Sequence, residues 1–189
     1  MNTLITFDAV VAGYAAPVVG PVSFAVARGE VVGIGGANGA GKSTLLKALT
    51  GGARIFSGEV LKMPGLAISH QHQGFDLGDE CPLTGQELLA LTGACPDGLP
   101  EWLADRLDQR IDRLSGGQLQ FLRLWACLTA PADLVVLDEP TNNLDRAGVA
   151  HLEQALARRD PARALIIVSH DARFEKAVCD RVISVSSEE

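Results

Sequence analysis

The sequence predicts an α/β fold, and three observations carry that expectation. Short apolar runs end abruptly in polar residues at Val31-Val32-Gly33-Ile34, Leu134-Val135-Val136-Leu137 and Ala164 to Ser169. Runs without strict alternation suit strands buried on both faces. Helix-forming stretches follow them, and a glycine-rich loop joins the first run to its helix. The 189 residues allow one domain with a sizeable core and a small inserted lobe.

Taken in order, Leu4 to Val11 and Val22 to Ala27 are rich in Val, Ile and Phe and read as strands, followed by a turn at Arg28-Gly29-Glu30. Val31 to Ile34 is a buried strand, and a helix from Lys42 to Thr50 stops at Gly51-Gly52. Glu59 to Met63 and Leu66 to Ser69 are further strands around the Pro64-Gly65 turn. From His72 to Arg113 prolines punctuate two expected helices, Gly85 to Leu91 and Glu101 to Ile111. A helix follows Ser115 and stops before Pro131. Leu134 to Leu137 is a strand, Ala147 to Arg158 a helix, Ala164 to Ser169 a strand, Ala172 to Val178 a helix, and Arg181 to Val185 a last strand. No internal repeat is visible, so one unit is expected rather than two.

Composition narrows the function. The net charge of −7 argues against nucleic acid as the main partner. Cys81, Cys95, Cys127 and Cys179 form no C-x-x-C pair, which argues against a zinc knuckle or redox motif and for reduced thiols in a cytosolic protein. Ala9 to Ala27 carries no charge, but Gly13, Pro17, Gly20 and Pro21 interrupt it. It reads as strands and turns, neither signal peptide nor anchor, so no direct membrane span is expected.

Gly36-Ala37-Asn38-Gly39-Ala40-Gly41-Lys42-Ser43 fits G-x-x-x-x-G-K-[ST] between a strand and a helix. Glycines let the backbone wrap an anion closely, and the helix start adds its dipole. Lys42 supplies a cation for the β- and γ-phosphates, and the Ser43 hydroxyl ligates Mg²⁺. Contacts are expected from Gly36 through Thr44. Asp138-Glu139 places two carboxylates at the end of an apolar strand, where ligands sit in open parallel sheets. Asp138 suits the Mg²⁺ shell through a water. Glu139 suits the base that takes a proton from an attacking water.

Leu114-Ser115-Gly116-Gly117-Gln118, between the phosphate loop and Asp138-Glu139, resembles the signature of ATP-binding cassette ATPases over nearly the whole chain. That resemblance implies a P-loop NTPase-type core with an antiparallel β subdomain and a short inserted α-helical subdomain. The core takes residues 1–71 and 114–189, and the helical subdomain residues 72–113. It implies Mg-ATP as ligand and ATP hydrolysis as activity. Tyr14 takes the place of the aromatic that stacks on adenine. Gln71 takes that of the glutamine reaching Mg²⁺ and the attacking water, with Gln73 as its rival. Asn143-Leu144-Asp145 resembles the loop that crosses to the opposite subunit, and His170 the switch histidine on the γ-phosphate. Ser115, Gly117 and Gln118 then face nucleotide held by a second cassette, identical or not.

Phe121 stands where the family commonly has arginine, and Trp125 where it has a small residue; both changes are expected to touch helix packing rather than the phosphate site. The motifs around His70-Gln71-His72 and Pro82-Leu83-Thr84 resemble ATPase subunits of metal-ion importers. Pro140 to Asp145 and Ser169-His170-Asp171 resemble soluble tandem cassettes that act on ribosomes, but their second cassette and charged linker are missing here. The favoured expectation is a cytoplasmic subunit peripheral to a transmembrane permease at the inner face of the membrane. His70 and His72 alternate along a strand, so a metal site there is conceivable, although no third ligand lies close in sequence.

Overall fold

The computed structural model describes residues 2–71 and 82–185. Three strands, β1 (Thr3–Gly13), β2 (Pro17–Ala27) and β4 (Arg54–Lys62), form an antiparallel sheet in the order β2-β1-β4. Strand β2 runs through Pro17 and Pro21, although both interrupt the uncharged stretch in sequence. It lies at the sheet edge, where a missing N–H costs no ladder bond. Strand β4 also starts earlier than expected, at Arg54.

Strands β3 (Val31–Gly35), β5 (Ile68–Gln71), β6 (Leu134–Asp138), β7 (Ala164–Val168) and β8 (Arg181–Ser184) form a second sheet, in the order β5-β6-β7-β3-β8. Its neighbouring strands pair in parallel. The apolar runs are explained by two cores, one on each face. Val32, Ile34, Leu134, Val136, Ala164, Ile166 and Val168 join a cluster with the antiparallel sheet and helix α1 (Lys42–Thr50). Val31, Val135, Leu137, Leu165 and Ile167 join the other, with α4 (Gly116–Thr129), α5 (Arg146–Ala157) and α6 (Ala172–Val178). Neighbouring residues thus bury on opposite faces with the period of two a strand imposes.

Between β5 and α4 the described residues hold α2 (Gly85–Thr92), the single turn α3 (Glu101–Ala104) and a 3-10 turn at Ile111–Arg113. The expected helix from Glu101 to Ile111 does not form beyond its first turn. The Leu107 and Gln109 carbonyls instead accept from the N–H groups of Gln86 and Gly85, the orphan donors at the start of α2. A bridge between Thr84 and Arg110 completes the contact. Phe121 and Trp125 pack this region onto α4. Trp102 meets the Phe121 ring edge-on with centroids 5.3 Å apart, and the Trp125 indole donates to the Cys95 carbonyl at 2.8 Å. Among the described residues, no helix is long and apolar enough to cross a membrane.

Candidate functional site

The order β6-β7-β3 places three loops side by side at the carboxyl ends of parallel strands. The loop after β3 leads into α1, Glu139 follows β6, and His170 follows β7 by two residues. An open depression of about 480 Å³ lies between them, lined by residues that include Asn38, Gly39, Lys42, Ser43, Glu139 and His170.

Two glycines make the loop possible for different reasons. Gly41 caps α1 at φ 86°, and a Cβ there would lie 2.6 Å from the Cβ of Val19, so the antiparallel sheet closes that side. Gly39 has φ 83°, but a Cβ there would meet nothing within 4 Å. Its freedom serves the backbone and leaves room for an anion.

Lys42 is buried, and its ammonium donates to the carbonyls of Gly36 at 2.8 Å and Ala37 at 3.1 Å. The cation is held inside the loop by neutral acceptors. The Ser43 hydroxyl lies 3.2 Å from Oδ1 of Asp138, which is 6% exposed. A hydroxyl and a buried carboxylate this close form an oxygen donor set that fits Mg²⁺. Glu139 is 11% exposed at its side chain, and Oε2 accepts from both the His170 backbone N–H at 3.2 Å and the imidazole Nδ1 at 2.7 Å. With Glu139 ionised, Nδ1 must carry the hydrogen. Glu139 itself sits at φ 50°, uncommon for a residue with a Cβ, while its N–H donates to Val168 at 2.8 Å. Backbone strain of this kind gathers at functional positions.

The structure brings Gly36 to Thr44, Asp138, Glu139 and His170 together, but places the other expected residues elsewhere. Tyr14 is 50% exposed just after β1, and the Lys47 ammonium lies 5.7 Å from its ring centroid. Gln71 is buried at the end of β5, paired in register with Leu137. It lines a separate depression with Leu88, Arg123 and Cys127 rather than the phosphate pocket. Gln73 and His72 lie outside the described residues.

Ser115, Gly117 and Gln118 line another depression, of about 330 Å³, with Asn143, Leu144 and Asp145. Ser115 is exposed, and it forms a capping box with Gln118. Its Oγ accepts from the Gln118 N–H at 3.3 Å, and its own N–H donates to Gln118 Oε1 at 2.9 Å. The requirement of a helix start thus accounts for two signature residues locally. Among the described residues, none lines both this depression and the pocket after β3.

Asn142 and Val18 also line the phosphate pocket and were missed in the sequence. Asn142 had a signal, since it lies between Glu139 and the crossing loop. A valine on a strand gives none; Val18 arrives through sheet packing.

The profile described as ABC transporter matches residues 19–93. The zinc import ATP-binding protein ZnuC of Marinobacter nauticus is 38% identical over 177 residues, covering 90% of this chain and 69% of that protein. Its counterpart in Ruegeria pomeroyi is 37% identical, covering 89% and 69%. The chain belongs to the ABC transporter family of ATP-binding proteins. A solved ATP-binding subunit of an ABC transporter superposes with TM-score 0.84 over 97% of this chain and 86% of that one, at 24% identity, and so supports the fold. RNase-L Inhibitor superposes at TM-score 0.79 and 27% identity, over 97% of this chain but 37% of that one. As a member of this family the chain is an ATPase.

Proposed function

We propose that this cassette energises a transporter that imports a divalent metal ion, working as one of two ATPase subunits that close face to face on ATP. The single observation behind the paired arrangement is the separation of the two half-sites. The phosphate pocket and the Ser115 depression open independently, and a second cassette would complete each of them. The γ-phosphate then bridges the subunits, and hydrolysis removes the bridge. ATP binding becomes a population shift between open and closed pairs.

In this reading the loop from Gly36 to Thr44 holds the triphosphate, with Lys42 leaving its loop carbonyls for the β- and γ-oxygens. Tyr14 stacks on adenine. Ser43 and Asp138 would hold Mg²⁺, and Gln71 would serve the ion and the attacking water. The ion would supply charge neutralisation on the phosphates. Glu139 takes the proton from water, and His170 holds it in place and meets the γ-phosphate. Ser115, Gly117 and Gln118 act on the partner's nucleotide.

Zinc as cargo rests on the names of the relatives at 34–38% identity. A transmembrane permease is the implied partner, with this chain peripheral to it at the inner face of the membrane. Affinity purification of the tagged chain from detergent-solubilised cells tests this. A multi-spanning membrane protein in stoichiometric amount is expected, and cells lacking the chain should accumulate less zinc. Recovery with ribosomal particles and no membrane protein would overturn the transport reading in favour of a soluble ribosome-acting ATPase.

A further inference from the structure

Glu175 is an ionisable group that the scheme above leaves unused. It lies on α6, one turn past its N-cap Asp171, and packs against the strand that feeds the phosphate loop. A Cβ added to Gly35 would lie 3.7 Å from Glu175 Oε1 and 3.9 Å from Oε2, so the carboxylate lies within contact range of that strand position. The next residue, Gly36, carries the carbonyl that holds Lys42. Oε1 is shielded from solvent and has no hydrogen-bond partner among the described residues. A buried carboxylate oxygen without a donor is costly in its charged form.

The charges around it are mostly of its own sign. Glu139 at the end of β6 and Asp171 on its own helix oppose its ionisation, and Lys42 on α1 alone favours it. The Cys179 thiol, one turn further along, is pushed up to about 12 by burial and then by Glu175 and Asp180, and stays neutral. Burial first, then Glu139, raises the Glu175 carboxyl above the ordinary glutamate range.

Phosphates entering the loop change this balance in one direction. They bring further negative charge, and they draw the Lys42 ammonium toward themselves. We propose that Glu175 sets the nucleotide affinity of this cassette: its carboxylate stands behind the phosphate loop as a charge the triphosphate opposes, and it takes up a proton as the nucleotide binds. The balance is one proton from solvent, with no bond made to the nucleotide. By linkage, binding then tightens as pH falls through the titration of Glu175. This rests on the phosphate-loop reading of Gly36 to Ser43.

Calorimetry with the full chain and a magnesium complex of a non-hydrolysable ATP analogue tests it. Binding is measured in two buffers of different ionisation enthalpy, across a pH series, for the wild type and Glu175→Gln. The amide keeps the shape and removes the charge. At the alkaline end Glu175→Gln should bind roughly three- to tenfold tighter, the effect of removing one partly screened charge. The gap should close as pH falls, and the variant should take up fewer protons than the wild type. Glu175→Leu, neutral and without hydrogen-bonding groups, should behave alike, and Glu175→Asp should restore the proton uptake. A structural role alone would weaken binding in Glu175→Gln at every pH. Binding of unchanged affinity and proton count in both neutral variants would overturn the proposal and leave the phosphate-loop reading standing. No binding by the wild type would overturn both.

Discussion

Replacing Glu139 by glutamine separates chemistry from architecture at this site. In the structure Glu139 accepts two bonds on one oxygen, Oε2, from the His170 N–H and Nδ1 at 3.2 and 2.7 Å. A glutamine keeps an acceptor oxygen of the same reach, so both bonds can persist. Stability should change by less than about 1 kcal/mol, as for a substitution that breaks no packing. The amide cannot take a proton at neutral pH. Loss of a positioned base slows turnover by roughly 10²–10⁴-fold, which is about 2.7–5.4 kcal/mol of barrier. Phosphate release reads the rate, and gel filtration with Mg-ATP reads association. A slow variant that binds ATP and elutes as a stable pair is expected. His170→Ala removes the 2.7 Å bond to the carboxylate, and a hydrogen bond to a charged group is worth roughly 1.5–3 kcal/mol. If His170 acts through Glu139, the double variant should be no slower than Glu139→Gln by more than about threefold. A double variant slower by the product of the two single effects would place His170 directly on the phosphate instead. Turnover at the wild-type rate in Glu139→Gln would remove Glu139 from the role of base.

Other perturbations test the loop and the thiols. Gly41→Ala puts a Cβ at φ 86° and 2.6 Å from the Cβ of Val19, so left-handed strain and overpacking add to about 2–5 kcal/mol. Calorimetric Tm should fall by roughly 5–15 °C with loss of ATP binding. Gly39→Ala, with open space around the new atom, should lose binding at a Tm cost of only a few degrees; equal melting losses in both variants would refute the packing argument. Thiol labelling at pH 8, read by peptide mass spectrometry, should modify exposed Cys95 before buried Cys127. Burial, against the opposing Ser69 hydroxyl, pushes the Cys127 thiol up to about 11. The ordinary thiol value is 9.0, so below it both folded and unfolded chains keep the proton. Above it the unfolded chain ionises first. Urea-unfolding stability should therefore decline as pH rises from about 9 toward 11, and less steeply in Cys127→Ala.

Local chemistry was legible in the residues themselves. The glycines specify the tight loop after β3 because φ above zero is a property of single positions. The apolar runs at β3, β6 and β7 specify buried strands because burial on both faces removes polar residues from each. Helix α1 begins and ends where the sequence places it, since Gly41 and Gly51 both stand in the left-handed region.

What depended on long-range pairing could not be read in this way. The sheet order β5-β6-β7-β3-β8 puts Glu139 beside His170 across 31 residues of chain, and no local pattern encodes that order. The helix expected from Glu101 to Ile111 is lost because the carbonyls of Leu107 and Gln109 satisfy donors at the start of α2, a stronger claim than helix propensity in the same stretch. The prolines of β2 are tolerated only because the fold makes it an edge. Glu175 lies in a helix that the sequence predicts, and only packing beside Gly35 puts it behind the loop after β3. The sequence by itself determined the backbone shapes and the reactive groups, which depend on near neighbours; tertiary structure decided which groups meet, because adjacency in a parallel sheet is set by crossovers through its whole core.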